Sequence, residues 1–115
     1  MNLKEVIKNL ADASGVSGDE TEAAKLALGY LKEFTDDCYI KNNCVFGNFG
    51  KREKGKPHIL LDAHIDRIGF VVTFITDDGF IKIANCGGID RRLLLAQQVK
   101  ILGKKDVYGV ICSIP

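Results

Sequence analysis

The sequence predicts a mixed α/β chain in which two N-terminal helices are followed by about seven short strands. Apolar residues recur at helical spacing up to about residue 36, and from residue 38 the apolar period changes to two. The composition agrees with a globular protein, because 46% of the 115 residues are hydrophobic and 27% are charged. A disordered or collagen-like chain is therefore excluded.

Both predicted helices have one apolar face. In the first, apolar side chains fall at i, i+3, i+4 and i+7, namely at Leu3, Val6, Ile7 and Leu10. This helix is expected to end near residues 14–15. The Ser17-Gly18-Asp19-Glu20 segment has the capping-box pattern, which predicts that the second helix opens at about residue 18. Its small residues, Ala23, Ala24 and Ala27, would let it lie close against a sheet.

The strand-like segments are separated by turn residues. They lie at 38–41, 45–50, 68–75, 80–84, 99–102 and 107–112, with one more beginning at Ile59-Leu60-Leu61. Asn42-Asn43 and Asp77-Asp78-Gly79 are predicted hairpin turns. The apolar run at 59–61 is typical of a strand buried on both faces. Residues 93–98 allow one short helical turn, and the sequence stops straight after a strand, which we interpret as the mark of a fragment.

Charge and cysteine content exclude several classes of function. The net charge of +1 gives no electrostatic basis for binding nucleic acid or an anionic membrane. The basic stretch at 51–56 is interpreted as a solvated turn, with a phosphate-binding patch as the alternative. We find no spanning apolar segment and no signal peptide, so we expect a cytoplasmic protein with four reduced cysteines. A disulfide between Cys38 and Cys44 is the minor alternative.

The residues that could carry chemistry lie around His64. Asp62, His64 and Asp66 alternate, so an extended chain would place all three on one face. A carboxylate two residues from a histidine can orient an imidazole that binds a metal ion. The alternative is a strand that ends in a polar loop with solvated carboxylates. His58 would lie about 20 Å from His64 on an extended strand, so we interpret it as a surface residue.

Several motifs resemble those of one enzyme family. The segment from Ala63 to Val72, Ala-His-Ile-Asp-Arg-Ile-Gly-Phe-Val-Val, is similar to the start of the metal site in the glutamyl-aminopeptidase or tetrahedral-aminopeptidase family. These proteins are two-metal exopeptidases that also carry the older names endoglucanase and cellulase M. Further similar segments occur in the same order along nearly the whole chain: Gly15-Val16-Ser17-Gly18, Gly47-Asn48, Asp78-Gly79-Phe80, Gly87-Gly88-Ile89-Asp90-Arg91-Arg92, Gln98-Val99-Lys100-Ile101 and residues 109–115.

The resemblance implies a division of the chain and a role for two residues. Residues 1–68 would be the first part of an α/β catalytic domain, and residues 69–115 would begin an inserted all-β, PDZ-like domain used for assembly into homo-oligomers. His64 matches the first metal ligand, and Asp66 matches the carboxylate that orients it. Arg67 replaces an acidic residue that is frequent there, which we interpret as a surface difference. Asp62 lies on the same predicted face as His64, which leaves open a role in hydrogen bonding to a metal ligand without binding the metal itself.

The implied activity is hydrolysis of the N-terminal peptide bond of peptide substrates, with two zinc or cobalt ions as cofactors in the complete enzyme. We expect the 115-residue chain alone to be inactive and to bind no metal tightly, because the general base and the other ligands would lie beyond it. Two alternatives remain open. One is an endoglucanase that uses Asp62 and Asp66, although the chain has no Trp. The other is a non-catalytic assembly module.

Overall fold

The computed structural model of the chain describes residues 2–113, which contain two α-helices, six strands and one 3-10 turn. The predictions that reach residues 1, 114 and 115 lie outside the described part. The mixed α/β composition is confirmed. The elements are α1 (Leu3–Asp12), α2 (Thr21–Leu31), β1 (Cys38–Lys41), β2 (Cys44–Gly47), β3 (Gly69–Ile75), β4 (Ile81–Cys86), a 3-10 turn (Arg91–Leu93), β5 (Gln98–Ile101) and β6 (Val107–Val110).

The segment between the helices differs from its prediction. Helix α2 begins at Thr21 rather than near residue 18, and the Glu20 carboxylate accepts a hydrogen bond from the backbone N–H of Gly18 at 2.7 Å. The capping-box prediction is therefore wrong. Gly18 has a φ of +96°, a conformation that cannot belong to the first turn of a right-handed helix. The Ser17 hydroxyl donates a hydrogen bond to the carboxylate of Asp66, 49 residues further along the sequence.

The strands form three separate antiparallel hairpins, β1–β2, β3–β4 and β5–β6. The predicted turn at Asn42 and Asn43 is confirmed, with φ values of 50° and 60°. Positive φ at both central residues is the geometry that matches the twist of a two-residue hairpin. Gly79 closes the second hairpin with a φ of +88°, and the β3–β4 ladder contains an irregularity between Val72 and Phe74.

The predicted strand at 59–61 is wrong for the described part of the chain. Ile59, Leu60 and Leu61 are 86%, 85% and 91% exposed, and they carry no strand assignment. A strand buried on both faces needs a neighbouring strand on each side and a layer above and below. Residues 2–113 place no strand beside this segment. The apolar run is therefore left facing solvent.

The buried core among the described residues consists of Ala13, Ala23 and Ala24. Helix α2 packs on α1 and on the β1–β2 hairpin, where the Leu31 methyl groups lie against Gly47, while Ala23 lies against Gly15 of the preceding loop. The radius of gyration is 18.6 Å, against about 13 Å for a compact chain of this size. The fold is thus an elongated set of hairpins with exposed apolar faces. None of the described helices is long and apolar enough to cross a membrane.

Candidate functional site

The candidate site lies where the loop between α1 and α2 meets the segment that leads into β3. The Arg67 N–H donates to the carbonyl oxygen of Gly15 at 2.8 Å, and Val16 forms a parallel bridge with Arg67. This contact joins residues about fifty positions apart in the sequence. It brings Ser17 beside Asp66, which sequence spacing alone could not predict.

The His64 imidazole is oriented by Asp66. Its Nδ1 lies 3.1 Å from Asp66 Oδ1 and 3.1 Å from the Asp66 carbonyl oxygen. A carbonyl and an ionised carboxylate only accept hydrogen bonds, so Nδ1 must carry the proton. In the neutral ring the lone pair then lies on Nε2. The side chain is 87% exposed, so Nε2 is open to a ligand.

Both oxygens of the Asp66 carboxylate are occupied. Oδ1 accepts from His64, and Oδ2 accepts a hydrogen bond from the Ser17 hydroxyl. The Ser17 hydrogen bond, followed by the bond from His64, lowers the pKa of Asp66 below its ordinary value. A carboxylate with a different donor on each oxygen has a fixed plane, and this fixes the acceptor that faces the imidazole.

The loop that carries Ser17 is itself fastened. Glu20 accepts from the Gly18 N–H at 2.7 Å and from Asn43 Nδ2 at 2.9 Å. These bonds, the Gly18 N–H first, lower the pKa of Glu20. Asn43 belongs to the β1–β2 turn, so the carboxylate links the loop to that hairpin. The hydroxyl of Ser17 is consequently presented from a loop tied to two other segments.

Gly69 permits the close approach of the two segments. A Cβ placed on Gly69 would lie 2.5 Å from Cγ2 and 3.1 Å from Cγ1 of Val16. Such distances are shorter than the roughly 3.5–4.0 Å at which carbon atoms pack. Glycine at the start of β3 therefore allows the Val16 side chain to lie directly on the backbone next to the site.

Arg67 has a structural role that the sequence did not predict. Its Nη1 donates to the carbonyl oxygen of Ala11 at 2.9 Å and lies 3.5 Å from that of Ala13. These carbonyls belong to the C-terminal end of α1 and its cap, where unpaired oxygens favour a cation. Arg67 is exposed, as its interpretation as a surface difference requires, but its hydrogen bonds to α1 were not predicted. The contact spans 56 residues, so no local pattern indicates it.

The described residues fit one position of a metal site. The Nε2 atom of His64 has the lone pair, the exposure and the carboxylate behind Nδ1 that a metal-binding histidine needs. Between residues 2 and 113, however, no three His, Cys, Asp or Glu side chains form a group that could hold a metal ion. Asp62 and His58 are exposed, and Asp66 takes its second hydrogen bond from Ser17 rather than from either of them. All four cysteines are free, including Cys38 and Cys44.

An imidazole with a carboxylate bonded to one nitrogen and the other nitrogen exposed is an arrangement that metal-binding histidines share. Residues 43–115 match the M42 glutamyl aminopeptidase family. The chain is 32% identical over 114 residues to a lysyl aminopeptidase of Pyrococcus furiosus, covering 96% of this chain and 32% of that protein. A glutamyl aminopeptidase of Lactococcus lactis is 27% identical over 114 residues, which cover 91% of this chain and 31% of that protein.

A solved structure is similar as well. The crystal structure of a TET aminopeptidase from a marine-sediment Thaumarchaeota archaeon superposes with a TM-score of 0.84 and is 32% identical, covering 97% of this chain and 31% of that one. The chain belongs to the M42 glutamyl aminopeptidase family. It spans about a third of the length of the relatives that it matches.

Proposed function

We propose that this chain forms the N-terminal part of a metal-dependent aminopeptidase that removes N-terminal residues from peptides. The observation that carries this proposal is the His64 imidazole, whose Nδ1 is bonded to Asp66 and whose Nε2 is exposed. The motif lies within the family match. The relatives named above are aminopeptidases, and they give no support to the endoglucanase alternative.

In the proposed enzyme His64 would hold one metal ion through Nε2, and Asp66 keeps the ring in the tautomer that leaves this nitrogen unprotonated. The two zinc or cobalt ions that we expect in the complete protein would acidify water and polarise the scissile carbonyl. Asp66 contributes by accepting a hydrogen bond from Nδ1–H, which raises the basicity of the ligand and fixes the ring plane. The remaining ligands and the general base would come from outside the described residues.

The same proposal divides the chain at about residue 68. Residues 1–68 would belong to the α/β catalytic domain, and residues 69–115 would begin the PDZ-like domain that assembles homo-oligomers. This division is supported by the packing among the described helices and strands, because α2 contacts α1, β1 and β2, whereas β3 to β6 contact no helix or strand other than their own hairpin partners. A cytoplasmic location is part of the proposal.

The test uses these 115 residues within a chain of the relatives' full length, with His64→Ala and the matched variant His58→Ala. His64→Ala is expected to abolish cleavage of aminoacyl-p-nitroanilides and to lower bound metal from two ions toward one. His58→Ala should leave both unchanged, because His58 is an exposed residue away from the pair. Asp66→Asn should reduce activity or metal affinity by about 10- to 100-fold.

One outcome of the His64→Ala experiment would contradict the proposal. If His64→Ala lowered only the melting temperature, with metal content and turnover per folded molecule near those of the unmodified protein, His64 would be a structural residue. The proposal would then be wrong.

A non-catalytic assembly role for the isolated chain is the second candidate. It is favoured by the exposed apolar surface, since the described core contains three alanines while large apolar side chains in every hairpin remain exposed. Contiguous apolar surface of this kind is typical of a protein interface. Both candidates can hold, because one concerns the complete enzyme and the other concerns residues 1–115 alone.

A further inference from the structure

We propose that Ser17 is a positioning residue for the candidate metal ligand His64 and acts through Asp66. The Ser17 hydroxyl donates a hydrogen bond to Asp66 Oδ2, and Asp66 Oδ1 accepts a hydrogen bond from His64 Nδ1. This role rests on the proposed function, because it concerns the ligand assigned there. It adds a third residue, from the loop between the helices, to the two that the sequence predicts.

The geometry explains why a hydroxyl is needed at this position. The Asp66 carboxylate is 37% exposed, so rotation about its last side-chain bond is limited mainly by its hydrogen bonds. With Ser17 holding Oδ2, Oδ1 stays directed at the imidazole. Without the hydroxyl, the carboxylate can turn toward water and Nδ1 keeps only the Asp66 carbonyl as an acceptor. The imidazole would then be less firmly held in the Nδ1–H tautomer.

Ser17 is well placed for this task because both of its neighbours are fixed. Val16 pairs with Arg67, and Gly18 donates its N–H to Glu20. Glu20 in turn accepts from Asn43 in the β1–β2 turn. The hydroxyl therefore belongs to a segment that is held in place by other contacts. Because the hydroxyl is fixed, its hydrogen bond limits rotation of the Asp66 carboxylate.

The test measures the His64 tautomer by long-range ¹H–¹⁵N correlation in the ¹⁵N-histidine-labelled 115-residue chain, at a pH where both imidazoles are neutral. The chain has two histidines, so exposed His58 provides the internal reference. His64 is expected to carry its proton on Nδ1. Ser17→Ala should lower the Nδ1–H to Nε2–H ratio of His64 by roughly 2- to 12-fold, the range for one lost hydrogen bond.

Two variants and one further measurement separate positioning from simple structural support. Ser17→Thr keeps the hydroxyl and should restore the tautomer ratio, whereas Ser14→Ala changes a serine of the same loop and should have no effect. Amide hydrogen exchange of Arg67, whose N–H bonds to Gly15, reports whether the loop stays docked. Under the proposal Ser17→Ala changes the tautomer ratio while Arg67 exchange stays near that of the unmodified chain.

Each other outcome overturns the role. An unchanged ratio in Ser17→Ala would mean that Asp66 is oriented without Ser17. A changed ratio together with lost Arg67 protection would make Ser17 a structural residue of the loop. If His64 and His58 showed the same tautomer mixture in the unmodified chain, Asp66 would not be orienting the His64 imidazole. Failure of the proposed function would give a different pattern. Ser17→Ala would still change the His64 tautomer ratio, but His64→Ala would keep its metal content and activity.

Discussion

Replacing Gly69 by alanine tests whether the two halves of the candidate site are held together by close backbone packing. The new Cβ would meet both methyl carbons of Val16, at 2.5 and 3.1 Å. Valine has a single, restricted side-chain dihedral, so the contact is relieved by a changed rotamer or by a shift of the backbone. We expect the Val16 segment to move away from β3 and the Arg67–Gly15 hydrogen bond to weaken.

The size of the effect follows from the cost of overpacking. Inserting a methyl group into a close contact typically costs about 1–3 kcal/mol. If that cost falls on the docked state of the loop, the Arg67 amide should exchange about 5- to 150-fold faster, because each 1.4 kcal/mol is about tenfold in an equilibrium constant. Gly88→Ala is the matched control, since a Cβ there meets no described heavy atom within 4 Å.

The assay is amide hydrogen exchange measured residue by residue in the unmodified chain and the two variants. Faster exchange in Gly69→Ala should be confined to Arg67, whose amide is bonded across the loop contact. Equal Arg67 exchange in all three proteins would refute the argument that Gly69 is required for this packing.

Three further predictions concern the chain as a whole. The isolated 115-residue protein should show no aminopeptidase activity and no tight one-to-one zinc or cobalt site by calorimetry, because its described residues offer no group of three metal ligands; metal-dependent cleavage by pure protein would contradict this. It should self-associate in light scattering, since its hairpins expose large apolar side chains; a clean monomer at high concentration would count against this. The hydrogen bond from the Arg92 side chain lowers the pKa of Asp90, so Arg92→Gln should raise that pKa in a ¹³C titration. In the unmodified chain the pair stabilises the fold at pH values above the ordinary aspartate pKa. This stabilisation is lost as the pH falls through the lowered pKa of Asp90.

Local patterns predicted the elements whose cause is local. The Asn42-Asn43 turn and the two helices follow from residues within a few positions of one another, and the structure contains all three. The His64–Asp66 hydrogen bond is of the same kind, because its partners are only two positions apart in the sequence. Whether the pair acts in metal binding and catalysis stays a prediction.

The sequence predicted wrongly, or failed to predict, the features that depend on residues far apart in the chain. Ser17 and Glu20 match a capping box, yet Ser17 bonds to a carboxylate 49 residues away and Glu20 bonds to Asn43, 23 residues away. Arg67 is explained by the end of α1, which no neighbouring residue reveals. The apolar run at 59–61 carries the pattern of a buried strand, but burial depends on neighbours that the pattern cannot supply.

The site and the loop therefore depend on each other. The polar residues that mislead a local interpretation of the helix start are the ones that the structure uses to brace His64 and Asp66. Ser17 donates to Asp66, and the φ of +96° at Gly18 keeps the residue after Ser17 out of a right-handed helix, so Ser17 is not an N-cap here. Because α2 begins at Thr21, Ser17 lies in the loop before the helix, where its hydroxyl bonds to Asp66. A substitution that restored a regular helix through residues 17–20 would be expected to extend α2 and to release Asp66.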